Sequence, residues 1–265
     1  SFARTEFPEV FVYRPAQGDV LVERGGAPVA SRLACPDAPA ALVLAGNESA
    51  MLPVGLEHHV GTTPDERSAA YGDASAEGMA ALDAAGAVVL AQHTEDWTPE
   101  DLGSLPLAGF EMYNLHANVI TGAGGLVSLL AKLNFPEELP HPDLSLLPIS
   151  NEDDRYLDRW GTVLSRGARR TTTIGTDCHE NTLPELLPDG ERMDSYRRMM
   201  IWMSNHLLVE PASDGALGDL ELKQALRAGR LYGVFEVLGY PVGFDFHALE
   251  GTTAIRVNAL NPGRA

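Results

Sequence analysis

Cysteine, basic residues and long apolar runs are scarce in this chain of 265 residues. Its two cysteines, Cys35 and Cys178, can form one bridge at most, which excludes a disulfide scaffold. Lys and Arg number 19 against 37 Asp and Glu, and a net charge of -18 leaves no basic surface for nucleic acid. No run reaches the roughly 18 apolar residues of a membrane span. The sequence therefore predicts a soluble protein with neither a nucleic-acid nor a membrane partner, and it indicates neither compartment nor oligomeric state.

Motifs of several common enzyme classes are also missing. The chain has no Gly-x-Ser-x-Gly elbow, no P-loop and no Gly-x-Gly-x-x-Gly turn. A serine hydrolase, a nucleoside triphosphatase and a dinucleotide-binding enzyme would each need one of these motifs. What the chain does contain is an apolar fraction of 45%, with charged residues spread along the sequence, which is typical of a protein with a hydrophobic core.

Short apolar runs alternate with helical patterns along the chain. Residues 41–45 and 87–91 are apolar runs beside glycine, as in buried strands. Between them, residues 76–85 follow the potential N-cap Ser75 and precede Gly86, as in a helix. Further strands are predicted at 108–113, 170–175 and 231–235, and further helices at 155–166 and 221–228. This alternation predicts an α/β fold, and we expect an α/β barrel.

Three regions are predicted from this pattern. Residues 1–40, rich in proline, glycine and β-forming residues, form an irregular or β leader. Residues 41–238 form the α/β barrel. Residues 239–265 alternate like antiparallel strands and begin a C-terminal β segment.

Metal-capable side chains follow several of the predicted strands. Parallel α/β folds build their sites where strands end, so these side chains are candidate ligands. They are Glu48 after 41–45, His58 and His59 ten residues further on, His93 after 87–91, and Asp177 and His179 after 170–175. Alternation on an extended segment points Asp177 and His179 to the same face, whereas it admits only one of His58 and His59 to a given site.

The candidate ligands are carboxylates and imidazoles, which together favour Zn, Mn or Fe over Ca or Mg. Such an ion lowers the pKa of its water toward about 7 and polarises a phosphoryl oxygen, so metal-assisted hydrolysis is the predicted chemistry. Taken singly, His93 could be a hydrogen-bonded structural residue, and Glu48 could cap a loop. Their succession at strand ends favours the metal site.

Five segments resemble the polymerase-and-histidinol-phosphatase (PHP) family of metal-dependent phosphoesterases, over most of residues 41–247. Residues 43–48 (VLAGNE) are similar to a strand ending in Gly-x-Glu, and residues 86–93 (GAVVLAQH) to the strand ending in the third-motif His. Gly109–Asn114 (GFEMYN) resembles a Gly-hydrophobic-Glu-hydrophobic-Tyr-Asn strand, and residues 175–179 (GTDCH) resemble the last Asp-x-His motif. Residues 225–232 (ALRAGRLY), followed by 243–246 (GFDF), are similar to the closing segment.

The resemblance implies a distorted (β/α)7 TIM-like barrel of the PHP type, incomplete at its N-terminus if its first strands are missing. It implies a centre of two or three divalent ions and hydrolysis of a small anionic or phosphorylated substrate by metal-activated water. With the ligands present in this chain, we expect one to three ions. The implied metal ligands are Glu48 as a bridge, one of His58 and His59, His93, Asp177 and His179. Asp177 and His93 would be catalytic, and Asn114 and His116 would contact the substrate.

Two alternatives to such a hydrolase stay open. The family's opening His-x-His and Thr-Asp-His motifs have no counterpart, because no histidine precedes His58. A barrel with this reduced site could serve as a ligand-binding module. The other alternative is amidohydrolase-like cleavage of a C–N bond. Such a site needs a lysine that bridges the metals, and the sequence contains two lysines, Lys132 and Lys223.

Overall fold

A mixed seven-stranded sheet, β1 to β7 in chain order, forms the centre of the fold in a computed structural model of the chain. The structure describes residues 20–256 apart from 36, 38, 122–123, 126, 129–130, 132–134, 136–140, 181–182, 185, 214, 216, 244–246 and 251–252. The seven strands are β1 Val20–Arg24, β2 Ala27–Leu33, β3 Ala41–Gly46, β4 Leu52–Leu56, β5 Val88–Ala91, β6 Gly109–Asn114 and β7 Thr171–Gly175.

The sheet changes its pairing between its two halves. Strands β1 to β5 pair antiparallel in succession, whereas β5, β6 and β7 pair parallel. Two reversals separate β3 from β5, so β3, β5, β6 and β7 all run the same way and end at one edge. We call this the carboxyl edge. Strand β4 ends at the other edge, where β5 begins, and we call that the opposite edge.

Helices connect the strands. The described α-helices are α1 Pro64–Tyr71, α2 Ala76–Ala84, α3 Pro99–Ser104, α4 Leu115–Thr121, α5 Asp154–Ser165, α6 Tyr196–Met200 and α7 Asp219–Arg227. Short 3-10 turns cover Thr94–Asp96, Pro142–Leu144, Leu147–Ile149 and Glu236–Leu238. Two antiparallel pairs lie outside the central sheet: β8 Ser204–Leu207 with β9 Leu231–Val234, and β10 His247–Glu250 with β11 Thr253–Arg256. In the described part of the chain, the helices are too short or too polar to cross a membrane.

Local sequence explains where the helices begin. Thr63 and Glu66 form a capping box at the start of α1, with Pro64 at the first helical position. The predicted N-cap Ser75 accepts a hydrogen bond from the Gly78 N–H, and α2 confirms the helix expected at 76–85. The strands expected at 41–45, 87–91, 108–113, 170–175 and 231–235 are confirmed as β3, β5, β6, β7 and β9, and the helices expected at 155–166 and 221–228 as α5 and α7.

The two larger hydrophobic clusters of the described residues pack beside the sheet. The first joins α1, α2, α3 and α5 to strands β3 to β6, and it includes Tyr71 and Phe110. The second gathers α4 and α6 around Leu115 and Trp202. All four of these side chains are at most 2% exposed. Full burial of a large apolar side chain contributes about 1.5–3 kcal/mol, so the two clusters hold the strand ends in position.

The expected (β/α)7 barrel is wrong, because the described residues form an open sheet. A barrel needs a backbone ladder that continues around the sheet. After β7 that ladder stops, since β8 pairs with β9. The Asn205 side chain of β8 donates to the Ile174 carbonyl at 2.8 Å and accepts from the Ile174 N–H at 3.0 Å. The reversals between β1 and β5 also depart from the uniform strand direction of such a barrel.

The regions expected at the two ends of the chain are described in part. Residues 20–33 of the expected leader form β1 and β2, which continue the central sheet through the β2–β3 ladder. The expected C-terminal β segment includes the β10–β11 pair. Residues 1–19, 244–246 and 257–265 lie outside the described residues.

Candidate metal centre

Three candidate ligands meet at the carboxyl edge of the sheet. Glu48 follows β3, and Asp177 and His179 follow β7. His179 Nε2 lies 2.5 Å from Asp177 Oδ1 and 3.1 Å from Glu48 Oε1. One ligand atom from each of the three residues lies within 4.8 Å of the other two. These residues, distant in the sequence, converge because β3 and β7 end at the same edge.

Asp177 lies at the centre of a wider cluster that also contains His93 and His116. Asp177 Oδ2 lies 3.1 Å from His116 Nδ1 and 3.6 Å from His93 Nε2, so the two carboxylate oxygens face different histidines. Burial acts to raise the pKa of Asp177, but the hydrogen bond with His116 and the charge of His179 outweigh burial and lower it. The carboxyl group is therefore ionised at neutral pH, as a metal ligand must be. We call Glu48, His93, His116, Asp177 and His179 the metal-capable cluster.

The donor set fits a divalent ion. Ligand atoms about 2.1 Å from a tetrahedral ion lie roughly 3.4 Å apart. His179 Nε2 lies 3.1 Å from Glu48 Oε1, near this spacing, and 2.5 Å from Asp177 Oδ1, so an ion between His179 and Asp177 would move their side chains slightly apart. Three protein ligands leave a fourth position for water, as in catalytic zinc sites. Next to Glu48 in the chain, Asn47 Oδ1 is a buried acceptor without a hydrogen-bond partner, a condition that an ion or its water relieves. The cluster could therefore hold a metal ion.

Unusual backbone conformations turn the ligands toward one another. His93, Asp177 and Glu180 have φ angles of 48°, 55° and 54°, in the left-handed region that few non-glycine residues adopt. Each costs on the order of 1–2 kcal/mol, and such strain is concentrated at functional sites. A turn therefore replaces the strand alternation that was expected for Asp177 and His179, and it still brings both side chains into the cluster.

A second acidic group in the described chain is already neutralised by arginines. One oxygen each from Asp143, Asp189 and Glu191 lies within the same 4.8 Å limit. The fully buried Arg198 contacts all three carboxylates, and Arg197 contacts two of them. Because these charges are paired with arginine, we interpret the group as a structural ion-pair network.

Glu111 is a buried carboxylate that the sequence did not indicate as a site residue. It lies in β6, and its Oε2 accepts from the His93 N–H at 3.3 Å and from Asn114 Nδ2 at 3.0 Å. Burial raises the pKa of Glu111 to about 7. Gly175 leaves room for this carboxyl, since a Cβ there would lie 2.7 Å from Glu111 Oε1. A charged residue in the middle of a predicted buried strand is the sequence signal for such a carboxylate.

Glu95 orients the His93 ring, and the sequence did not indicate it as a site residue either. Glu95 Oε1 lies 3.1 Å from His93 Nδ1, which leaves His93 Nε2 to face Asp177. The Tyr156 hydroxyl donates to the other Glu95 oxygen, and Arg159 donates to the Glu95 carbonyl at 2.9 Å. Burial acts to lower the pKa of His93, but the hydrogen bond with Glu95 and the charge of Asp177 outweigh burial and raise it.

The two residues expected to contact the substrate occupy different positions. Asn114 is 2% exposed; its side chain accepts from the Ala117 N–H at 2.9 Å and donates to Glu111. Asn114 is therefore closed to a substrate and positions Glu111 instead, which corrects the expectation. His116 is half-buried in the first turn of α4 and contacts Asp177, so it belongs to the metal-capable cluster.

His58 and His59 are not brought to this cluster. They follow β4, which ends at the opposite edge, where the Glu57 N–H donates to the Ala85 carbonyl at 2.9 Å. Between residue 85 and residue 93 lies the whole of β5, which runs from the opposite edge to the carboxyl edge. His58 is exposed, and His59 Nδ1 lies 2.9 Å from the Tyr71 hydroxyl. The expectation that one of these two histidines is a ligand is therefore corrected.

The lysine that an amidohydrolase-like site needs is not found in this cluster among the residues that the structure describes. Lys223 is 1% exposed and lies at the opposite edge, with its Nζ 2.9 Å from Glu57 Oε1 and 3.4 Å from Asp219 Oδ2. Lys132 lies outside the described residues. The geometry thus gives the C–N hydrolase alternative no support.

No protein-family model, curated protein or solved structure matches the chain. The similarity to the PHP family therefore stays a hypothesis based on the five segments quoted above. The geometry of the metal-capable cluster carries the functional argument.

Proposed function

We propose that the protein is a metal-dependent hydrolase that cleaves phosphoesters. The observation that carries the proposal is the convergence of Glu48, Asp177 and His179, whose ligand atoms lie within 4.8 Å of one another. Imidazole and carboxylate ligands together favour Zn, Mn or Fe. A divalent ion held by these residues would supply a water of lowered pKa as nucleophile and a Lewis acid for the phosphoryl oxygen.

Asp177 offers ligand positions for two ions. Its Oδ1 faces His179 and, beside it, Glu48, whereas its Oδ2 faces His116 and His93. Asp177 would then be the bridging ligand, a role that the PHP resemblance assigns to Glu48. A pair of ions held by these residues would stabilise both the attacking and the leaving oxygen of a phosphoester.

Neighbouring residues would orient the ligands. Glu95 contacts His93 Nδ1, and Glu111 accepts from the backbone N–H of the same residue. Asn114 in turn donates to Glu111. Loss of such supporting contacts typically lowers metal affinity or activity by about 10–100-fold.

A side-chain nucleophile is not required by this proposal. Cys178 lies between two ligands in the sequence, but its side chain packs against the second hydrophobic cluster. Burial raises the pKa of its thiol to about 11. The thiol is therefore protonated at neutral pH, and a protonated thiol is a poor nucleophile.

The order of ligands along the chain supports chemistry of the PHP type on an open sheet. Glu48, His93, Asp177 and His179 occur in the order of the motifs that they resemble. We infer a small phosphorylated substrate, since the net charge of -18 disfavours a nucleic acid.

Metal content and turnover of two variants test the proposal. The protein is loaded with Zn or Mn and analysed for bound metal, and hydrolysis of p-nitrophenyl phosphate and bis(p-nitrophenyl) phosphate is measured. Asp177→Asn removes the charge between the histidines, so we expect loss of bound metal and a fall of at least about 100-fold in turnover. Asp158→Asn changes an exposed carboxylate on α5 and should retain both.

Three results would decide against the hydrolase. Wild-type protein that binds no divalent ion contradicts the metal site, and so does an Asp177→Asn variant with unchanged metal and turnover. Bound metal without hydrolysis of either substrate contradicts catalysis and favours the ligand-binding module.

A further inference from the structure

An open cleft lies beside the metal-capable cluster and shares His93 with it. It encloses about 920 Å³, including space open to solvent, and its polar and aromatic lining consists of Ser49, Gln92, His93, Asp96, Trp97 and Asp101. Ser49 directly follows the ligand Glu48, so the cleft borders the cluster at two points. A group attached to a phosphoester at the cluster would therefore extend into this cleft.

The neutral hydrogen-bond donors of the cleft are already used within the protein. Ser49 Oγ donates to the Tyr71 carbonyl at 2.5 Å, and Gln92 Nε2 donates to the Ser49 carbonyl at 2.7 Å. Trp97 Nε1 donates to the Gln92 carbonyl at 3.1 Å, so its indole contributes ring surface. Of these three described side chains, only Gln92 keeps a further N–H, its second amide hydrogen, for an incoming acceptor.

Apart from His93, whose ring nitrogens face Glu95 and Asp177, the other polar side chains that line the cleft are carboxylates. Asp96 is exposed, and Asp101 uses one oxygen to accept from the Thr98 hydroxyl at 2.5 Å. An ionised carboxylate accepts hydrogen bonds and donates none. Among the described residues that line the cleft there is neither lysine nor arginine. The cleft is therefore rich in acceptors, poor in donors and negatively charged.

We propose that this cleft binds the part of the substrate beyond the cleaved phosphoester, and that this part brings hydrogen-bond donors and no negative charge. The position of the phosphoester rests on the proposed function of the cluster. A polyhydroxylated group and an ammonium group share this chemistry, because both donate to Asp96 and Asp101 and both lie favourably against the Trp97 ring. The same carboxylates repel a second anionic group.

Equilibrium binding of four phosphonates tests this chemistry without turnover, because their C–P bond is not hydrolysed. The probe 2,3-dihydroxypropylphosphonate brings hydroxyls, 2-aminoethylphosphonate brings an ammonium, propylphosphonate brings neither, and 3-phosphonopropionate brings a second carboxylate. Calorimetry on Zn-loaded protein measures each affinity. We expect the dihydroxypropyl or the aminoethyl probe to bind at least about tenfold more tightly than propylphosphonate, which in turn binds more tightly than 3-phosphonopropionate.

Variants assign this preference to the cleft. In Asp96→Asn with Asp101→Asn, we expect the preference to fall below about threefold while bound metal is unchanged. If the double variant does not fold, Asp96→Asn alone, at an exposed position, should reduce the preference. Binding should also change tryptophan fluorescence in the Trp160→Phe control, whose substitution lies on α5, and should leave it unchanged in Trp97→Phe.

The outcomes separate this inference from the proposed function. Propylphosphonate or 3-phosphonopropionate binding as tightly as the donor probes overturns the inference, even if metal-dependent hydrolysis is present. A preference that survives the aspartate substitutions overturns it as well. Metal loading without hydrolysis overturns the proposed function, whereas the donor preference of the cleft is still measured by binding.

Discussion

The two edges of the central sheet both carry clustered carboxylates, but the partners of those carboxylates differ. At the opposite edge, Glu57 and Asp219 contact Arg24 and Lys223. At the carboxyl edge, Glu48 and Asp177 contact the histidines of the metal-capable cluster. Arginine and lysine keep their protons at neutral pH, whereas imidazole releases its proton near pH 6.5 and can then bind a metal. Similar acids thus form a structural network at one edge and a metal-capable site at the other.

The largest effect is expected from Lys223→Met, at the opposite edge. Lys223 and Asp219 are at most 2% exposed, and removal of one partner from a buried ion-pair network costs about 3–5 kcal/mol. Urea unfolding should show this loss, while bound metal stays at the wild-type level. Arg155→Met, which removes an exposed ion pair with Asp153, is the control and should cost less than about 1 kcal/mol. A loss below 1 kcal/mol for Lys223→Met would contradict the structural role of the network.

The next largest effect is a pH dependence of the free energy of unfolding that originates at Glu111, near the carboxyl edge. Burial raises the pKa of Glu111 from its ordinary 4.5 to about 7, so the folded state binds more protons than the unfolded state between these values. Stability therefore falls as pH rises from about 4.5 to about 7, and the penalty above pH 7 approaches about 3 kcal/mol. We expect metal-free Glu111→Gln to be about 2–3 kcal/mol more stable than wild type at pH 8 and equal to it near pH 4.5, measured by urea unfolding.

Glu57→Gln provides the matched control at the opposite edge. Burial acts to raise the pKa of Glu57, but its contacts with Lys223 and Arg24 outweigh burial and lower it. A lowered carboxyl pKa contributes stability that is present above about pH 4.5 and is lost as pH falls through the folded value. Glu57→Gln should therefore destabilise the protein at pH 8 and at pH 6 alike. Parallel pH profiles for Glu111→Gln and wild type would contradict the assignment to Glu111.

Gly175→Ala should have an intermediate effect, again at the carboxyl edge. Its new Cβ would lie 2.7 Å from Glu111 Oε1, and displacement of this hydrogen-bonded carboxyl costs about 1–3 kcal/mol. Because Glu111 accepts from the His93 N–H, we also expect metal affinity to fall about tenfold. Metal titration and urea unfolding measure the two effects. Gly161→Ala, on α5 with open space around the new Cβ, should leave metal affinity unchanged, and equal affinities for both variants would argue against a supporting role for Glu111.

The smallest effect is expected from an exposed pair near the opposite edge. Arg227 lies 3.0 Å from Asp83, whose side chain is 62% exposed. Because water and salt screen such pairs, Asp83→Asn should change the free energy of unfolding by less than about 0.5 kcal/mol. Unfolding in low and high salt checks this value. If Asp83→Asn lowered the free energy of unfolding by more than 1 kcal/mol, this exposed pair would contribute as a buried pair does, which contradicts the expected contrast between buried and exposed pairs.

Strand ends could be predicted from the sequence, and with them most of the cluster. The apolar runs before Glu48 and His93 and the β-branched run before Asp177 are local signals, and each forms a strand that ends at the carboxyl edge. The pairing direction of β4 is not local, because it depends on β3 and β5 as neighbours. This reversal places His58 and His59 at the wrong edge for the site.

Other features depend on contacts that no local pattern contains. The open sheet follows from the pairing of β8 with β9 and from the Asn205 amide that occupies the side of β7. The support of His93 by Glu95 and Glu111 follows from how a 3-10 turn packs on β6. A sequence pattern predicts where a strand ends, whereas these contacts depend on which elements become neighbours.

The left-handed backbone at His93 and Asp177 has a consequence for how a cation would be recognised. Contacts within the protein hold these unfavourable φ angles: the His93 N–H donates to Glu111, and the Asp177 carboxylate contacts His116 and His179. The backbone that carries the ligands is therefore fixed by its neighbours, and little backbone entropy is lost when a cation enters. A rigid backbone also selects cations by ionic radius, because a cation that is too large could bind only if the strained backbone at His93 and Asp177 moved.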